Sequence, residues 1–135
     1  MHHATGTFEV KVVPAEASEF EKAHGIARKT IVKTLHGGFE GTADGEMLST
    51  GTEATGGMVY VAVDRYEGVL DGRRGGFTLL HRATMVKGDA ASAKMEIVIA
   101  AHSGTGELAG IEGTFTITID ATGGHAYALD YTLPQ

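Results

Sequence analysis

Asp71 and Gly72 stand alone between two runs rich in Val, Leu, Tyr, Phe and Thr, MVYVAVDRYEGVL (58–70) and RRGGFTLLHRATM (73–85). A two-residue Asp-Gly link between such runs predicts a β-hairpin with a type I′ turn. That turn needs φ > 0 at both positions, which Gly adopts freely and Asp tolerates. The turn length fixes the pairing: Tyr66 faces Phe77, Asp64 faces Leu79, Ala62 faces His81, Tyr60 faces Ala83 and Met58 faces Met85. Alternation puts all of them on one face. The other face carries Val59, Val61, Val63, Thr78, Leu80 and Thr84 with Arg65, Glu67 and Arg82. Both faces are largely apolar. A sheet of that kind is expected to be covered on both sides, either by closing into a barrel around a core or cavity or by joining other subunits.

The rest of the chain supplies further strands. ATGTFEVKVVP (4–14) alternates Gly6, Phe8, Val10 and Val12 against Thr5, Thr7, Glu9 and Lys11, the pattern of a half-buried strand. Residues 15–25 are charged and read as a loop or one helical turn across a barrel end, after which IARKTIVKTL (26–35) resumes β-branched alternation. A turn at 36–41 leads to a polar strand over 42–53, with Glu46, Leu48 and Thr50 opposite Met47 and Ser49 in facing. SAKMEIVIAA (92–101) places Met95, Ile97 and Ile99 together, and the Gly-dense stretch 103–110 reads as a tight turn, with room for one helical turn at 106–109. Residues 111–120 and 125–133 form a second hairpin. Its five-residue loop sets Ile119 against His125, Ile117 against Tyr127, Phe115 against Leu129 and Gly113 against Tyr131. An even loop would set this apolar series against Thr, Ala and Asp, so the pattern selects the register. The expected fold is all-β, a closed barrel of eight antiparallel strands in mostly sequential order, one domain over 1–135.

Composition narrows the partners. Twenty Gly and two Pro among 42% hydrophobic residues fit many short strands rather than disorder. The net charge of −6 with no basic cluster argues against a nucleic acid or an anionic membrane surface. Cysteine is absent, so disulfides and thiol chemistry are excluded and a cytoplasmic protein is expected. Neither a secretory leader nor an apolar run long enough to span a bilayer is visible. His2 and His3 are assigned no role.

ATGTFEV, GVLDGRRGGFTLLH, SGTGELAGIEG and HAYALDYTL, in that order, resemble a bacterial family of uncharacterised small proteins grouped structurally with the allene oxide cyclase-like barrels, alongside the plant dirigent proteins. The resemblance spans essentially the whole chain. It implies a closed eight-stranded barrel with an apolar cavity, often oligomeric, in a superfamily whose known members steer isomerisation, cyclisation or coupling of reactive small molecules without a cofactor. Fold by itself does not carry the reaction over.

The sharpest chemical constellation is Tyr60, Asp64 and His81. Tyr60 and Asp64 are the diagonal neighbours of His81 on either side of Ala62, close enough to meet it directly or through one water. An imidazole oriented by a carboxylate can serve as general acid or base, and it can equally be a buried polar group satisfied for structural reasons. Met58, Tyr66, Phe77, Leu79, Met85, Phe115 and Tyr127 share the inner faces of the two hairpins and would line a cavity or fill a core. Glu67 shares a face with Arg65 and Arg82, so an outer ion pair is expected; Glu46 and Glu96 are undecided by parity. The stretch 103–110 lacks the Lys of a phosphate loop, and the histidines lack metal-site spacing. No cofactor and no metal are therefore expected. The leading reading is a cofactor-independent isomerase or cyclase acting on a small hydrophobic metabolite. The alternatives are a non-catalytic binding barrel and a filled scaffold acting through its surface. Val59, Val61 and Val63 would join copies into a dimer or trimer.

Overall fold

The computed structural model describes residues 1–51 and 56–134, with Ala90 described by its backbone alone. Among the described residues, nine strands and one short helix follow one another: β1 (His2–Ala15), α1 (Glu19–His24), β2 (Ala27–Gly37), β3 (Phe39–Gly51), β4 (Gly57–Leu70), β5 (Arg73–Val86), β6 (Asp89–Ile99), β7 (Thr105–Gly106), β8 (Glu112–Ile119) and β9 (His125–Thr132). β1 to β6, β8 and β9 each pair antiparallel with their chain neighbours, and β9 returns to β1. The result is a closed eight-stranded barrel. The two-residue β7 adds to β5 at Gly75 and Gly76, below the part of β5 that pairs with β6. The expected strand over 42–53 begins earlier and is followed to Gly51; Thr52 and Glu53 lie outside the described residues.

Both hairpin registers expected from the sequence are found. Asp71 and Gly72 take φ of 48° and 86°, and every pair from Tyr66–Phe77 to Met58–Met85 is formed. In the second hairpin Ile119 faces His125 and Phe115 faces Leu129. Residues 15–25 contain one short helix, α1. Ser18 caps it by accepting from the Glu21 amide while the Glu21 carboxylate accepts from the Ser18 amide, and Gly25 ends it at φ 66°. The Gly-dense stretch forms β7 and consecutive turns, with Leu108 N–H bonded to the Thr105 carbonyl and Ala109 N–H to that of Gly106. Arg65 holds it from outside, donating to the Ser103 carbonyl at 2.8 Å and to Thr105 Oγ1 at 2.9 Å.

The interior differs at its two ends. At one end Tyr66 stacks on Phe77 at 5.3 Å, Phe115 stacks on Tyr127 at 5.4 Å, and Phe39 meets Tyr66 and Phe77 edge-on at 5.7 Å. Leu70, Leu108 and Ile111 are buried beneath them, so this end is sealed. Tyr127 ties the seal to the β2–β3 turn: its hydroxyl accepts from the Phe39 amide and donates to the His36 carbonyl, both at 2.9 Å. Each of these rings contributes roughly 1.5–3 kcal/mol by leaving water. At the other end, where β4 begins and β5 ends, inward-facing side chains stay exposed.

Candidate functional site

Lys33 and Asp64 are two opposite charges at inward positions of apolar strands, with exposures of 5% and 1%. The strand between theirs, β3, presents only Ala43 and Gly45 at the same height, opposite Lys33 and Asp64 respectively. Those small residues let the lysine cross the lumen. Its Nζ donates to Asp64 Oδ2 at 3.0 Å and to the Tyr66 hydroxyl at 3.1 Å, and it lies 5.5 Å from the ring centres of Phe8 and Tyr66. A buried charge persists only when paired, and here the pairing, a hydroxyl and two ring faces combine to hold it. A Cβ at Gly45 would come within 1.9 Å of Asp64 Oδ1, so glycine is what makes room for the carboxylate. Oδ1 itself has no hydrogen-bond partner among the described residues. Burial first, then the Asp64 charge and Tyr127, push the Tyr66 phenol well above its ordinary 10.0.

The Tyr60 hydroxyl and His81 Nε2 are hydrogen-bonded at 3.0 Å, with the rings edge-on at 5.0 Å. Both are half-buried. Desolvation lowers the His81 pKa below its ordinary 6.5, the Lys33 charge lowers it further, and Asp64 opposes both. Burial raises the Tyr60 phenol. At neutral pH the pair is therefore a neutral imidazole against a protonated phenol, a proton acceptor beside a proton donor.

The open end is built from methionine. Met47, Met58, Met85 and Met95 occupy inward positions on β3, β4, β5 and β6. Met58 and Met95 are 51% and 55% exposed although they face the barrel axis, and Val12, Met85 and Ile119 are exposed likewise. A groove of about 660 Å³ runs along the rim past Gly51, Met58, Val59, Met85 and Lys94. Methionine side chains are flexible and polarizable, so such a mouth adapts to apolar shapes.

The structure divides the residues that the sequence singled out. Tyr60 and His81 meet, whereas Asp64 gives its bonded oxygen to Lys33, and no hydrogen bond joins Asp64 to His81 among the described residues. Tyr66, Phe77, Leu79, Phe115 and Tyr127 belong to the packed end, and Met58 and Met85 to the mouth. Glu46 and Glu96 lie on the outer face, paired with Arg28 and Arg82, and Glu67 is paired with Arg65 along its own strand. His3 pairs with Asp130 across β1 and β9. Lys33 was missed. The signal for it is a lone lysine between Ile31 and Leu35 on an apolar face, which requires an inward partner as lone as itself, and Asp64 is that partner.

An antiparallel barrel packed shut at one end, with a polar layer inside and a methionine mouth at the other, defines the class of protein at hand. The chain belongs to the DUF3224 family, described as a protein of unknown function, whose sequence profile matches residues 4–131. Among solved structures, a DUF3224 protein of unknown function from Shewanella oneidensis MR-1 is 35% identical, with a TM-score of 0.87 over 100% of this chain and 98% of that one. None of the curated proteins matches. No helix among the described residues is long and apolar enough to cross a membrane.

Proposed function

We propose that this barrel takes up a small hydrophobic molecule through its open end. The observation that carries the reading is the exposure of Met58, Met85 and Met95 at positions facing the barrel axis. Each 100 Å² of apolar surface covered there is worth about 2.5 kcal/mol before the costs of binding. Side chains of this kind are left in water by a lumen that something else fills.

A second reading, a cofactor-independent isomerase or cyclase, is favoured by the Tyr60–His81 pair beneath the mouth. A neutral imidazole next to a phenol can accept a proton from a bound molecule and return one elsewhere on it. The resemblance to allene oxide cyclase-like barrels supports the same chemistry. A chain without cysteine fits a reducing cytoplasm.

On the outside, Leu48, Val61, Val63 and Leu80 form one exposed strip across β3, β4 and β5, flanked by the Arg28–Glu46 and Arg82–Glu96 pairs. We assign this strip to a second copy of the chain, since a rim carrying both signs complements itself about a two-fold axis.

The test is incubation of small-molecule extract with the protein, with Met58→Glu/Met85→Glu and with His81→Ala, followed by chromatography with mass detection. A compound retained by the unmutated protein and released by the mouth variant supports uptake. A compound that changes retention without changing mass, except with His81→Ala, supports the isomerase. Retention indifferent to the mouth variant contradicts both.

A further inference from the structure

We propose that the Lys33–Asp64 layer selects a neutral ligand head group that both donates and accepts a hydrogen bond, a hydroxyl foremost, and disfavours a carboxylate. This rests on the open-end binding site proposed above and names what that site recognises. Asp64 is 1% exposed and its Oδ1 has no hydrogen-bond partner among the described residues. A buried, unpartnered carboxylate oxygen is costly and uncommon, so a donor that arrives from elsewhere is the natural complement. Lys33 Nζ carries three N–H donors, of which Asp64 Oδ2 and the Tyr66 hydroxyl take two. One acceptor, Asp64 Oδ1, and one N–H of Lys33 therefore remain on the same ion pair.

A ligand hydroxyl matches both, donating to Oδ1 and accepting from Nζ. An ether oxygen accepts only and leaves Oδ1 bare. A carboxylate also accepts only, and it brings a negative charge to a layer whose own charges cancel and whose unpartnered atom is a carboxylate oxygen. The aromatic end is packed shut, so a ligand head group must come from the methionine mouth, past the hydrogen-bonded Tyr60–His81 pair that stands across from the buried Ala83 and Ala62.

The experiment is calorimetric titration of the full chain with naphthol, its methyl ether and naphthoate, three probes with one apolar body and different head groups. Naphthol is expected to bind about tenfold or more tighter than the ether, the equivalent of one hydrogen bond to a charged group, with naphthoate the weakest. In Lys33→Met/Asp64→Ala, which removes both charges together, the two neutral probes should bind alike. Equal binding of naphthol and ether by the unmutated protein would overturn the head-group selection and leave the open-end site standing. Naphthoate binding tightest would replace it with an anion site at Lys33. Absence of binding by all three would overturn the open-end site as well.

Discussion

Replacing Lys33 with Met removes the cation paired with a carboxylate that is nearly sealed from water. Met keeps most of the side-chain volume, so the cost is that of an uncompensated buried charge, about 3–5 kcal/mol. In a chain of 135 residues that corresponds to a fall in Tm of roughly 10–20 °C. Asp64→Ala should cost a similar amount, because it strands the lysine instead. The double variant Lys33→Met/Asp64→Ala leaves neither charge. It gives up the space of one carboxylate, on the order of 30 Å³, and at about 24 cal/mol per Å³ this is below about 1 kcal/mol. It also gives up the hydrogen bond from Lys33 to the buried Tyr66 hydroxyl, about 1–3 kcal/mol, and the total still falls well short of the sum of the single variants. Urea unfolding of the four proteins at neutral pH, with the slope m checked for constancy, measures the cycle. A Lys33→Met cost under about 1 kcal/mol, the range of solvent-exposed pairs, would refute the buried pair. A double variant as damaged as the sum of the single ones would refute the coupling.

Other consequences follow from the same geometry. His81, with a folded pKa below its ordinary 6.5, binds a proton more readily in the unfolded chain, so stability should fall as pH drops through 6.5 and level off below the folded value; His81→Gln should flatten that slope, and NMR titration of His81 should move up in Lys33→Met. An unchanged titration in Lys33→Met would contradict the electrostatic link. Gly45→Ala should cost roughly 1–3 kcal/mol, since its Cβ would sit 1.9 Å from Asp64 Oδ1 and 2.5 Å from the Val63 carbonyl oxygen, and an Asp64→Ala background should recover only part of that loss, because the backbone clash persists. Val61→Glu/Val63→Glu should leave the fold intact and reduce the solution mass to that of one chain in light scattering, because both residues are exposed on the outer strip; a mass unaffected by the charges would remove this strip as the contact between copies.

What was legible in the sequence was local pairing. Asp71–Gly72 and the five residues after Ile119 set two registers, and alternation then sorted β4, β5, β8 and β9 into inner and outer faces. Height along the barrel axis was not legible. Whether an inward residue lands in the packed end, like Phe77 and Phe115, or in the mouth, like Met58 and Met85, depends on the stagger of all eight strands. That stagger is set partly by the β1–β9 and β6–β8 contacts, which join segments far apart in the chain. The partner of Asp64 was hidden for a related reason. Diagonal distances on one hairpin favoured His81, but Lys33, two strands away, reaches the carboxylate over Ala43 and wins as the stronger ion pair.

The most direct test of an open, ligand-accepting end is a methyl NMR titration of methionine-labelled protein with the methyl ether of naphthol. An open lumen predicts that the methyl signals of Met47, Met58, Met85 and Met95 shift together and saturate, while that of Met1 stays in place. Shifts confined to Met1, or none at concentrations where the probe is soluble, would contradict it.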